Sequence, residues 1–263
     1  MPTIESILDR QVRRWELERS VRLQEGGPHA HDRQPGQPVI TVSRQRGSGG
    51  SLLAERLAQR FGYTLLHRDI IDRICESAGY KRRVIESLDG HARSQLQLWF
   101  ESVVQGAYVD AGDYVKALVE VIYSISELGG VVVVGRGANF ILGHERGFHI
   151  RVVAPREVRV RNLVAREGLG EHEARREIER SDHERDAWVR QVFGRSADDP
   201  LAYDLVVNHL SISMEAATSL VAAAAQEKFE RLRLAGAVPT EEDLNRARDR
   251  RQEGWGLVKK AWL

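Results

Sequence analysis

The sequence predicts a three-layer α/β fold, with helices covering both faces of a five-stranded parallel sheet. Three observations point to it. Short β-branched runs at Val39–Val42, Val131–Val134 and His149–Val153 alternate with stretches of helical character. Val131–Val134 sits between Gly129-Gly130 and Gly135 with no polar residue, as a strand buried on both faces would. The chain has 263 residues, enough for one sizeable domain with additions.

In chain order, apolar positions at Ile4, Ile7, Leu8, Val12, Trp15, Leu17, Val21 and Leu23 predict an amphipathic helix over 4–24. The Pro- and Gly-rich segment 26–38 reads as a linker, so residues 1–37 form an N-terminal helix and linker and the main domain runs over 38–235. Strand Val39–Val42 leads to a helix over Leu52–Phe61, which Gly62 ends. A short strand is expected at Tyr63–Leu66 and a helix over 69–77. Residues 82–128 hold no strand-like run and read as helices broken near Gly106 and Gly112. After Val131–Val134 and His149–Val153, helices are expected over 156–167 and 171–193, a fifth strand at Asp204–Val207 and a long helix over 214–234. Residues 236–263 read as a charged helix with an apolar tail. The two ends are candidates for packing on the body, on a second copy or on another protein.

Composition excludes several classes. The net charge of +1 gives no global attraction for nucleic acid. No apolar run approaches the roughly 20 residues that span a bilayer. The charged N-terminal stretch lacks a signal core, so a cytoplasmic protein is expected. Cys75 is the only cysteine, which excludes an internal disulfide and a cysteine zinc cluster. Of 39 basic residues, 34 are arginine, and no lysine lies near the glycine-rich segment. Arginine offers a planar fork for phosphate oxygens, although codon bias yields the same excess.

The segment Ser43-Arg44-Gln45-Arg46-Gly47-Ser48-Gly49-Gly50-Ser51 follows a strand and opens a helix. In that context, backbone N–H groups and the positive end of the helix dipole hold a polyphosphate. Laid on G-x-x-x-x-G-K-[ST], Gly49 and Ser51 fit, whereas Arg44 stands at the first glycine and Gly50 at the lysine. The loop reads as nucleotide-binding through Arg46, Gly47, Ser48, Gly49, Gly50 and Ser51, with the Ser51 hydroxyl at the magnesium position. Arg44 and Arg46 are the candidates to supply the missing charge. A dinucleotide fingerprint fails at Leu52. A purely structural turn stays open.

Four blocks in order resemble the cytidylate kinase-like proteins, divergent relatives of the nucleoside monophosphate kinases. They are Ile40–Gly50 with the following Leu-Ala-x-Arg-Phe-Gly, Val132–Leu142, Asp182-x-x-Arg185, and Tyr203–Asn208. The likeness spans about residues 39–230. It implies a P-loop NTPase-type fold with a helical monophosphate-binding insert over about 68–128 and a helical lid over about 156–200. It implies ATP and Mg²⁺, with the γ-phosphoryl group passing to CMP or dCMP. Main-branch members carry Gly-Arg-Asp after the third strand; here it is Gly135-Arg136-Gly137.

Ten arginines and nine acids lie in 156–195, so most of these charges read as helix-face pairs such as Glu171–Arg175. Arg159, at the family's arginine position, and Arg185, one turn after Asp182, are the catalytic candidates together with Arg44. Arg136 follows a buried strand at its C-terminal end, where open α/β sheets bind ligands, and is the candidate for the acceptor. Asp69 and Asp72 are candidates for metal or acceptor contact. Two other readings stay open: a kinase-derived nucleotide-binding regulator with little turnover, and a P-loop kinase for another small metabolite.

Overall fold

The computed structural model describes residues 6, 9–17, 38–88, 112–210 and 212–234. The expected break near Gly106, the linker and the C-terminal tail lie outside them, as does most of the N-terminal stretch. Five strands form one parallel sheet in the order β2-β3-β1-β4-β5. The chain runs β1 (Val39–Arg44), α1 (Gly50–Phe61), β2 (Thr64–Leu66), α2 (Arg68–Glu76), α3 (Ala78–Glu86) and α4 (Asp113–Leu128). It continues β3 (Val131–Val134), α5 (Ala138–Leu142), β4 (Phe148–Val153), α6 (Arg156–Glu167), α7 (Glu171–Phe193), β5 (Leu205–Asn208) and α8 (Met214–Leu234). No helix among the described residues is long and apolar enough to cross a membrane.

The period of two along each strand sorts the two cores. Val132 and Val134 face α1 and α8, with Ile40, Val42, Ile150 and Val152 beside them. Val131 and Val133 face the other way, onto Leu118, Ile122 and Ile125 of α4 and Ile70, Ile71 and Ile74 of α2. A third, smaller cluster joins α6 to α7 through Val160, Leu163, Ala174 and Ile178. All five predicted strands are present.

The differences have local causes. β1 continues to Arg44 because that residue pairs with Val152 on β4. Ser77 separates α2 from α3 by accepting a hydrogen bond from the Tyr80 amide, so α3 begins at Ala78, ahead of the helical stretch read from 82. Gly112 begins α4 instead of breaking it. The short α5 had no counterpart in the sequence reading. Residues 9–17 are helical, and Val12 and Trp15 lie within the main core. The Trp15 indole donates to the Gly129 carbonyl at 3.4 Å, and Arg83 of α3 pairs with Asp9 and Glu16. The packed unit therefore reaches back past Pro38, and Met1–Phe229 cluster as one unit. The second unit, Glu230–Leu263, is described only for the last turn of α8.

One face of β1 and β4 is polar where the strands read as apolar. His149 is fully buried. Its Nε2 lies 2.7 Å from the Gly143 carbonyl, which can only accept, so Nε2 carries the proton and Nδ1 accepts from the Thr41 hydroxyl at 2.7 Å. Its amide donates to Asp204, which also binds Lys228 at 2.7 Å. Burial first, then Lys228 and His144, hold the imidazole down to about 4, against partial opposition from Gly143 and Asp204. The native state thus binds fewer protons than the unfolded chain between about pH 4 and 6.5, so this stability is complete above 6.5 and lost on acidification. The loss is at most about 1.4 kcal/mol per pH unit. Urea unfolding at pH 7 and pH 5 should show a larger fall for the wild type than for His149→Asn; equal falls would exclude His149 as the source.

Candidate active site

The loop between β1 and α1 is shaped by its glycines and held from outside. Gly47 and Gly49 have φ of 79° and 85°, and a Cβ on Gly47 would lie 2.7 Å from the Arg159 carbonyl oxygen. The Ser48 hydroxyl, fully buried, donates to the Gln45 carbonyl at 2.8 Å. Arg159 Nε donates to the Arg46 carbonyl and Asn162 Nδ2 to the Gly47 carbonyl, each at 2.8 Å. Helix α6 thus satisfies the loop's carbonyls from behind. The amides of Gly47, Gly49, Gly50 and Ser51 have no protein partner among the described residues, and α1 begins with neither a side-chain cap nor an acid. Unpaired amides at a helix N-terminus are an anion seat.

The two flanking arginines differ. Arg46 pairs with Glu167 at 2.5 Å and Glu177 at 3.4 Å, so its charge is spent on α6 and α7. Arg44 has no carboxylate partner among the described residues. Its pKa is lowered to about 10, first by withdrawal from water and then by Arg185, Arg68, Arg46 and Arg136. Its stem passes over Gly50, and its Nη1 would lie 2.7 Å from a Cβ on Gly135. The guanidinium therefore stands between the loop and the turn after β3.

That turn carries Arg136, the one non-glycine residue with positive φ (54°) among those described. Its guanidinium lies 5.7 Å from the Tyr114 ring centre and 5.9 Å from that of Trp188, within cation–π range. It also pairs with Asp72, whose other oxygen accepts from the Tyr114 hydroxyl at 2.7 Å. Burial, then Asp72, raises the Tyr114 pKa. Cys75 nearby is pushed up to about 12, chiefly by burial, and stays a neutral thiol. Helices α2, α4 and α7 and the turn after β3 thus meet around one guanidinium.

Arg159 is buried, at 5% exposure, and gives its second contact to Asp182 at 2.6 Å. The other Asp182 oxygen accepts from Arg185 at 3.1 Å, and Arg185 also donates to Ser181. Burial, then Arg151 and Arg159, lowers the Arg185 pKa against the pull of Asp182. Of the sequence candidates, Arg136 and Arg185 lie near enough to Arg44 for their charges to bear on it. Arg46 and Arg159 brace the loop. Asp69 is exposed beside Arg68 and touches none of these groups. Arg175 reaches Glu157 of α6 at 2.7 Å instead of serving a pair with Glu171 on its own helix.

Sequence reading missed Asn162, Tyr114, Trp188 and Arg151. Arg151, at 4% exposure, donates to Ser43 at 2.8 Å and to Asp198 at 2.5 Å. A signal for it existed, because His149 and Arg151 alternate with apolar residues in one strand. No group of three His, Cys, Asp or Glu side chains converges among the described residues. A magnesium ion that travels with a nucleotide rests on phosphates, water and one or two protein oxygens, and the exposed Ser51 hydroxyl fits that need.

The model of the cytidylate kinase-like family matches residues 39–210, more than half of the chain. The chain belongs to the cytidylate kinase-like family. It is 28% identical over 202 residues to a cytidylate kinase of Methanopyrus kandleri, covering 73% of this chain and 95% of that one. A cytidylate kinase of Pyrococcus horikoshii is 26% identical over 186 residues, covering 71% and 87%. An uncharacterized protein from Eubacterium ventriosum shares the fold at a TM-score of 0.59 and 19% identity, covering 73% of this chain and 99% of the other.

Within the cytidylate kinase-like frame, the glycine after Arg136 gains a reason. Gly137 has φ of 59°, and a Cβ there would lie 2.2 Å from Cε2 of Phe193. The Phe193 ring stacks on Phe140 at 5.3 Å and meets Trp188 edge-on at 5.4 Å. No side chain fits at 137 while α7 ends as it does. Gly137→Ala should cost about 1–3 kcal/mol from overpacking and left-handed strain. Phe193→Ala in the same chain should return the overpacking part, so a urea double-mutant cycle should give a favourable coupling; strict additivity would refute the contact.

Proposed function

We propose that this protein transfers the γ-phosphoryl group of ATP to a nucleoside monophosphate, most simply CMP or dCMP. The observation that carries the reading is the fan of unpaired amides at 47 and 49–51, faced by an arginine without a carboxylate. Such a seat favours a polyanion, and the family relatives named cytidylate kinase give the substrate class. Phosphoryl transfer asks mainly for positioning and charge stabilisation, which amides and guanidinium groups supply.

In this reading the loop amides hold the donor phosphates and the Ser51 hydroxyl holds Mg²⁺. Bound there, the ion offsets charge on the β- and γ-phosphates. Arg136 and its neighbours from the insert hold the acceptor. An oxygen of the acceptor's phosphate bonds to the γ-phosphorus as the bond to the β–γ bridging oxygen breaks, and ADP leaves. Arg185 stabilises the transferring group. Arg159 keeps the loop carbonyls turned away so that the amides point inward.

A coupled ADP-release assay over CMP, dCMP, UMP and AMP tests the reading. Turnover is expected with CMP or dCMP and Mg-ATP; silence with every nucleotide would refute it. Arg185→Ala should lower kcat by about 100-fold while changing Mg-ATP affinity much less. Equal losses in both would remove Arg185 from the transferring group.

A further inference from the structure

We infer that Arg44 and Gly50 are a transposed pair: the cation normally carried at the loop's helix-start position is delivered here from the end of β1. The inference rests on the kinase reading above and assigns a donor-phosphate contact within it. A Cβ on Gly50 would lie 2.4 Å from the Arg44 Cβ and 3.1 Å from its Cγ. Both positions cannot carry a side chain. The usual loop resolves the conflict with glycine first and lysine at the helix start. This chain resolves it the opposite way.

Gly50 is not in a left-handed conformation, so no backbone need demands glycine there; the Arg44 stem does first, with Val152 Cβ next at 3.1 Å. The arginine's head fits the lysine's task. It lies beside Gly135, where a Cβ would approach Nη1 to 2.7 Å, and so stands between the amide fan and the Arg136 turn. Arg136 is neutralised by Asp72, Arg46 by Glu167, and Arg185 shares Asp182 with Arg159. Arg44 alone of this group faces four like charges without a carboxylate. A partly buried cation so placed destabilises the free protein. A bound polyphosphate removes that cost.

Two sets of variants test this. Arg44→Met keeps the volume and deletes the charge. It should raise the thermal midpoint of the nucleotide-free protein and weaken Mg-ATP binding, measured by calorimetry, at least about tenfold. A purely structural arginine would give a lower midpoint and unchanged affinity, and either result overturns the inference. Arg44→Gly should weaken Mg-ATP binding similarly, and Gly50→Lys should do so by displacing the Arg44 stem. The double variant should recover at least about tenfold over the weaker single one. A folded double variant no better than that single one would also overturn the transposition. A wild type that binds no Mg-ATP at millimolar concentration would instead defeat the kinase reading itself, which separates the two failures.

Discussion

The site is organised by positive charge that the protein leaves uncompensated at one point. Charges withdrawn from water are costly unless paired, and this chain pairs nearly every arginine around the loop. Arg46, Arg136, Arg151, Arg159 and Arg185 each meet a carboxylate. Arg44 does not; the charges that bear on it are those of Arg185, Arg68, Arg46 and Arg136. A loop of unpaired amides beneath an unpaired guanidinium is poised for a polyanion, and the rest of the site keeps it so.

The same carboxylates give the site its mechanical frame. Asp182 is shared between Arg159, which braces the loop, and Arg185, whose charge bears on Arg44. Glu167 and Glu177 tie Arg46 to the last residue of α6 and to the second turn of α7. Small polar bridges therefore join α6 and α7 to the loop, while their own packing rests on the apolar cluster of Val160, Leu163, Ala174 and Ile178. The exposed pairs along α7, such as Arg180 with Glu177 and Glu184, add little to stability and chiefly keep the helix solvated.

Much of the fold was legible because its signals are local. Val131–Val134 between glycines admits few readings, and a glycine-rich stretch after a strand and before a helix locates the anion seat. The roles of individual arginines were not legible, because each role is set by an acid distant in sequence. Arg46 meets Glu167 across 121 residues, Arg136 meets Asp72 across 64, and Arg159 meets Asp182 across 23. Nothing near Arg159 marks it as a brace instead of a phosphate contact. The burial of Trp15 was hidden likewise, since its partners at Gly129 and in the core come later in the chain. The reason for Gly50 was also out of reach: it is a contact with Arg44 that no spacing rule displays.

The acceptor side shows how a lost residue and a gained contact can be one fact. The main-branch acid after the β3 arginine has no room here, because the Phe193 ring fills the space above Gly137. The carboxylate beside Arg136 comes from Asp72 on α2 instead, and it is already bound to both Arg136 and Tyr114. Swapping an acid within the turn for one on α2 changes what the pair connects. An acid at 137 would move with the arginine it serves. Asp72 is carried by α2, so the pair ties that helix to the turn after β3. Trp188 adds α7 to the same group. The left-handed backbone at Arg136 is held by this convergence, since glycines on both sides free the turn and the stacked, paired guanidinium fixes it.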